Sequence, residues 1–174
     1  MKMRLVIAPI GLAISFALPT LAQQKDTVDP KIKQQIRVLA AKYDEAINKH
    51  DAAAVAALYT KDGVRSSDWG TFHGRQAIEK SYGKYDFQRW PVSSFFTAVN
   101  RVFTVRNEVR STGTWSGVFV NHSGGHDNDG GYYSWVIVRE GDIWKIRSNT
   151  AHGAGNPFGT NFSLERQKQP LAVD

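Results

Sequence analysis

Residues 43–74 read YDEAINKHDAAAVAALYTKDGVRSSDWGTFHG. This stretch decides the fold. Its first residues close a helix that opens upstream at Asp29-Pro30, where Asp can accept from the free N–H groups and Pro fits the first turn. Ile32, Ile36, Leu39, Tyr43 and Ile47 recur at helical spacing. They predict one helix from about Pro30 to Lys49, with Tyr43 on the buried face and Asp44 and Glu45 on the flank. His50-Asp51 breaks it, and Asp51 can cap a short second helix, AAAVAALY. Lys61-Asp62-Gly63 turns the chain into a strand, VRSSDW. Alternation puts Val64, Ser66 and Asp68 on one face, and Arg65, Ser67 and Trp69 on the other.

Downstream, residues 75–85 (RQAIEKSYGKY) predict a third helix, ended by Trp90-Pro91. The rest is rich in Val, Phe, Trp, Thr and Tyr and predicts strands near 93–107, 109–121, 131–140 and 143–152. Residues 122–131 (HSGGHDNDGG) form a glycine-rich loop that suits a mobile lip at a cavity entrance. Three helices followed by a run of strands is an α+β layout. The expected shape is a cone, with the helices packed in a strongly curved antiparallel sheet.

Upstream, Lys2 and Arg4 precede an apolar run from Leu5 to Leu18, and Thr20-Leu21-Ala22 is a small-x-small cleavage site. Residues 1–22 therefore read as a secretory signal peptide, since the run is shorter than the roughly 20 residues of a spanning helix. Residues 23–29 read as a polar leader, 30–152 as one domain and 153–174 as a tail. Export to a periplasm or beyond the cell follows, with no stable membrane anchor once the signal is cut. Cleavage lowers the net charge from +6 to +4. There is no Lys/Arg run, so no nucleic-acid partner is expected, although Arg101, Arg106 and Arg110 could assemble a patch in three dimensions. The chain has no cysteine, so stability rests on the core. Five tryptophans suit either a bulky β-rich core or the walls of a cavity for a flat, partly apolar ligand.

The order of elements resembles the nuclear-transport-factor-like superfamily, most closely its SnoaL-like and ketosteroid-isomerase-like branch. The resemblance is carried by YDEAINKHDAAAVAALYTKDGV, by GRQAI at 74–78 and by GDIWKI at 141–146, and it spans about residues 30–152. It implies a conical pocket between sheet and helices, often with homodimerisation through the outer sheet face. Its members include isomerases, dehydratases, cyclases and non-enzymatic transport factors, so it fixes no single activity.

The resemblance also implies site residues. In ketosteroid isomerases a tyrosine eight residues before the Asp of the short helix donates to the developing oxyanion, and Tyr43 stands eight before Asp51. The isomerase base is an aspartate on the first strand. An ungapped match falls on Ser67, and Asp68 is one position away, on the other face unless a bulge intervenes. If Asp68 faces inward, desolvation raises its pKa and makes it a usable base. The isomerase's second donor, a protonated aspartate, has no clear counterpart in GYYSWVIV, where Tyr132 or Tyr133 could serve. Related dehydratases pair His with Asp. Trp144, Ile146, Ser148, Thr150 and His152 share a face by alternation, and its two apolar members turn that face inward, with His152 at the pocket mouth, so His152 or His126 could pair with Asp68. Each of these groups could instead be structural: a core tyrosine, a surface aspartate or a surface histidine.

Trp69, Trp115, Tyr133 and Trp135 are the expected walls of the site, and a small hydrophobic or aromatic carbonyl-type compound is the expected ligand. No cofactor is implied. His122, His126, Asp127 and Asp129 have neither helical ligand spacing nor a calcium-loop pattern, so no metal site is expected. Three readings remain: a general acid–base isomerase, dehydratase or cyclase; a non-catalytic ligand-binding protein; and a protein-interaction module of the same fold.

Overall fold

A computed structural model describes residues 28–154, apart from 107 and 122. The expected signal peptide, most of the leader, most of the tail and His122 lie outside the described residues. Val28, at the end of the expected leader, is buried. Asp29 caps helix α1 (Pro30–Asn48) by accepting from Lys31 N at 2.8 Å. The buried side of α1 carries Ile36, Leu39, Tyr43 and Ile47. His50 takes a positive φ of 54°, which turns the chain, and Asp51 caps α2 (Ala52–Ala57) through Ala54 N.

The strand that follows differs from the expectation. β1 runs Tyr59–Ser67 and returns at once as β2 (Gly70–His73), with Ser67 opposite Gly70. Asp68-Trp69 is therefore the tip of a hairpin rather than the end of a strand. Gly70 takes φ 118°, a conformation open to glycine, which lets the chain reverse there. Helix α3 (Arg75–Ser81) continues as a π-helical turn, Tyr82–Phe87, two residues past the expected end. Three long hairpin strands and a last one close the sheet: β3 (Val92–Val105), β4 (Glu108–Val120), β5 (His126–Glu140) and β6 (Ile143–Gly153).

The result is the α+β architecture, with three helices and one curved six-stranded sheet in the order β2-β1-β6-β5-β4-β3. One pair departs from the antiparallel expectation, because β1 runs parallel to β6. The edge strand β3 lies along α1. Asn48 donates to Phe95 O and accepts from Phe95 N, and Asp44 accepts from Thr97 N at 3.0 Å. Helix side chains thus satisfy the free backbone groups of an edge. The inner sheet face is built by Tyr133, Trp135 and Ile137 on β5, and by Ile146 and Asn149 on β6.

Candidate functional site

Between α1, the π-helical turn and the inner sheet face lies a cavity of about 300 Å³. That volume sits at the small end of ligand sites and holds a compound of one or two rings. Its walls are aromatic. Phe95 stacks on Trp115 at 5.9 Å, Trp115 meets Phe119 edge-on, Phe119 meets Trp90, and Trp90 leans on Trp69 at the mouth. On the other side Tyr43 packs against Trp135 at 5.2 Å, and Trp135 against Tyr133 at 4.8 Å. Trp69, Trp115, Tyr133 and Trp135 all line this space.

The polar floor is a chain of phenols. Tyr43 Oη and Tyr82 Oη are 2.5 Å apart, Tyr82 Oη and Tyr59 Oη 3.2 Å, and Asn149 Nδ2 donates to Tyr59 Oη at 2.9 Å. Burial pushes the Tyr43 and Tyr59 phenols well above their usual range, and neighbouring Tyr82 adds to the effect. They are therefore donors near neutral pH and not bases. Tyr133 is also pushed up, to about 12, by burial, and its hydroxyl contacts Ser111 at 3.2 Å.

Under this chain lies a buried cation. The Arg65 guanidinium sits 4.1 Å from the Tyr82 ring centroid, donates to Ser81 Oγ at 2.9 Å and pairs with Asp86 at 2.9 Å. Burial raises the Asp86 carboxyl above its ordinary value, against the lowering pull of Arg65. Its second oxygen, Oδ2, is buried and has no partner among the described residues. Arg65, Asp86, Tyr43, Tyr82 and Asn149 all line the cavity.

The expected residues separate into two groups. Tyr43 is on the floor. Asp68 is at the mouth, with 63% of its side chain exposed. Its carboxylate accepts from Gly153 N at 2.9 Å and meets His152 Nδ1 at 2.8 Å, and these bonds hold its pKa below the usual value. The sequence-derived His–Asp contact exists, but on the outside. His152 does not face inward, because a bulge intervenes. Val136 pairs with Ser148 and Ile137 with Ile146, so Arg147 is an extra residue and the alternation reverses beyond it. Ile146, Asn149 and Ala151 point in, whereas Thr150 and His152 are exposed. Tyr132 likewise faces out, at 64% exposure, and Tyr133 faces in. Asp44 is not a free flank residue: one of its oxygens is shut off beneath β3, and burial pushes its carboxyl up to about 7.

Sequence reasoning missed Arg65, Tyr82, Asp86 and Asn149. The signal for Arg65 was present: alternation set it with Ser67 on one face, and that is the face turned inward. A buried arginine is simply not what hydropathy suggests. Asp86 lies past the expected helix end, on the π-helical turn. Asn149 is hidden by the bulge at Arg147.

The residues from 31 to 150 match the model of the SnoaL-like domain. The chain belongs to the SnoaL-like domain family. Solved structures show the same fold at low identity. An NTF2-like protein with a cystatin-like fold from Novosphingobium aromaticivorans is 17% identical, with a TM-score of 0.63 over 80% of this chain and 90% of that one. A ketosteroid isomerase-like protein from Erwinia carotovora atroseptica is 18% identical, with a TM-score of 0.62 over 72% and 98%. A hexachlorocyclohexane dehydrochlorinase, LinA-type3, from Novosphingobium barchaimii is 14% identical, with a TM-score of 0.60 over 71% and 87%. No curated protein sequence matches this SnoaL-like chain.

Proposed function

We propose that the chain is a cofactor-independent enzyme that isomerises, dehydrates or cyclises a small carbonyl compound by general acid–base catalysis. One observation carries this reading: a cavity of about 300 Å³ in which a phenol pair and a buried Arg65–Asp86 pair share the floor. The ligand's rings lie along the aromatic walls. Its carbonyl oxygen accepts from the Tyr43–Tyr82 pair, and the Arg65 charge beneath the Tyr82 ring stabilises negative charge as an enolate develops. Asp86, which lines the cavity, takes the proton from the adjacent carbon. The Asp68–His152 pair at the mouth is the competing base. The test is turnover of a panel of aryl ketones and hydroxyketones by wild type, Tyr43→Phe, Asp86→Asn and Asp68→Asn. Turnover untouched by Tyr43→Phe and Asp86→Asn overturns the assignment, and ligand-induced stabilisation without turnover leaves a binding protein.

We also infer that the chain is exported and cut before Gln23, and that it pairs through the outer sheet face. The apolar run at 5–18 supports the first point. Exposed Tyr132 and Phe96 on β5 and β3 support the second. Cell fractionation with N-terminal sequencing checks the one, and sedimentation of wild type against Tyr132→Ser checks the other.

A further inference from the structure

We propose that Asn149 sets the direction of the phenol chain, so that one phenolic O–H is left over for the ligand and the cavity floor selects a hydrogen-bond acceptor. This deepens the pocket reading above and rests on it. Tyr43, Tyr82 and Tyr59 bring one hydroxyl proton each. They make two contacts with one another, at 2.5 Å and 3.2 Å, and each contact consumes one proton. At the far end Asn149 Nδ2 donates to Tyr59 Oη at 2.9 Å, so no phenolic proton is spent there. One remains.

Tyr59 is fully buried, and Tyr82 Oη is the acceptor within its reach, so its proton goes there. The spare proton therefore sits on Tyr43 or Tyr82, and both line the cavity. With the amide turned over, Oδ1 would accept from Tyr59. The chain would then run from Tyr43 through Tyr82 and Tyr59 into Asn149, all three protons would be spent, and the floor would offer lone pairs only.

The same orientation leaves Asn149 Oδ1 without a partner. Asn149 is 1% exposed, and it lines the cavity. The ligand class is thus a small carbonyl compound with an apolar body, whose oxygen accepts from the spare phenolic O–H. Asn149 is a positioning residue for the phenols.

The probes are acetophenone and ethylbenzene, which share a shape and differ in the acceptor. Wild type should bind acetophenone about tenfold more tightly, with its C=O stretching band lowered by the phenolic donor. In Asn149→Asp the preference and the band shift should vanish as the new carboxyl ionises on titration from about pH 5 to about pH 9, because a carboxylate accepts from Tyr59. Ethylbenzene affinity should stay within about twofold, which shows the cavity intact. Adding Tyr59→Phe disconnects the carboxylate from the chain and should restore the band shift. A lowered band in Asn149→Asp at every pH, or no restoration by Tyr59→Phe, overturns the inference while the pocket reading stands. Failure of wild type to bind either probe overturns both. Should Asn149→Asp not fold, the side-chain amide signals of Asn149 decide the matter by NMR. They must shift between wild type and Tyr59→Phe, and unchanged signals overturn the donation on which the inference rests.

Discussion

The Arg65 guanidinium lies 4.1 Å from the centre of the Tyr82 ring, and 5% of Arg65 is exposed. A charge this deep has to be matched. Asp86 does so at 2.9 Å, and the Tyr82 ring face adds a second favourable field. Breaking a buried pair from one side strands the other charge, whereas removing both need not. Asp86→Asn should therefore lower unfolding stability by about 3 kcal/mol, the low end of the range because about a quarter of Asp86 remains exposed. The double variant Arg65→Met/Asp86→Leu should recover most of that loss. Denaturant unfolding of the three chains checks it, and a double variant as unstable as the single one would refute the account.

Asp44 gives stability an unusual pH dependence. Burial is the main cause of its raised pKa, and the Thr97 backbone N–H at 3.0 Å pulls the other way without winning. Its carboxyl titrates at about 7 in the folded chain, against 3.8 as the ordinary value. The folded state therefore holds the proton more tightly than the unfolded state. The contribution is complete below the ordinary value and is lost as pH rises to about 7. At most about 4 kcal/mol is involved, and less to the extent that water reaches the half-buried residue. Asp44→Asn should flatten the stability profile across that window and be the more stable chain above about pH 7. Parallel profiles for the two proteins would show that Asp44 is not the cause.

Two glycines set the spacing of the sheet over the cavity. A Cβ at Gly113 would lie 1.8 Å from Ala98 O and 2.9 Å from the Tyr133 ring. One at Gly131 would lie 1.9 Å from His152 O and 2.8 Å from Trp115 Nε1. Both positions press on backbone, which cannot move aside as a side-chain tip can. Gly113→Ala and Gly131→Ala should each cost about 2–3 kcal/mol. Gly124→Ala, whose Cβ meets nothing within 4 Å, is the control for the glycine-to-alanine change. Its φ of 78° still adds a smaller cost of about 1 kcal/mol. Thermal unfolding that ranks the three alike would remove the close approach as the reason.

What could be read in the sequence follows from how far each signal reaches. The helical face of α1, the Asp29 and Asp51 caps and the β-rich second half are local patterns, and they appear where the residues put them. Tyr43 inherits its place from the helical period and lands on the cavity floor. The aromatic walls follow from composition and alternation, and Trp69, Trp115, Tyr133 and Trp135 all reach the cavity. The inward assignment of His152 fails for one reason: a single extra residue at Arg147 inverts every side chain after it. Asp68 is displaced because Ser-Asp-Trp-Gly is a hairpin tip, which strand alternation cannot see. Alternation turns Arg65 inward but hydropathy hides it, and Asp86 and Asn149 are legible only once their contacts with Arg65 and Tyr59, distant in sequence, are known.

The two candidate bases make opposite demands, and this allows a decision between them. Asp68 is exposed and tied to Gly153 N and His152, and its lowered pKa makes it a weak proton acceptor near neutral pH. Its contact with His152 is solvent-exposed, so Asp68→Asn should change stability by no more than about 1 kcal/mol. Asp86 lines the cavity, and burial raises its carboxyl above the ordinary value, which makes it the stronger proton acceptor of the two. With a turned-over ketone in hand, Asp86→Asn should lower kcat by about a hundredfold or more, while Asp68→Asn should keep kcat within about twofold. The pH–rate profile of wild type should rise with a limb above the ordinary carboxyl range, because Asp86 must lose its proton to act. A limb below that range, together with loss of turnover in Asp68→Asn and His152→Ala, would move the base to the mouth and leave Asp86 as the counter-ion that keeps Arg65 buried under Tyr82.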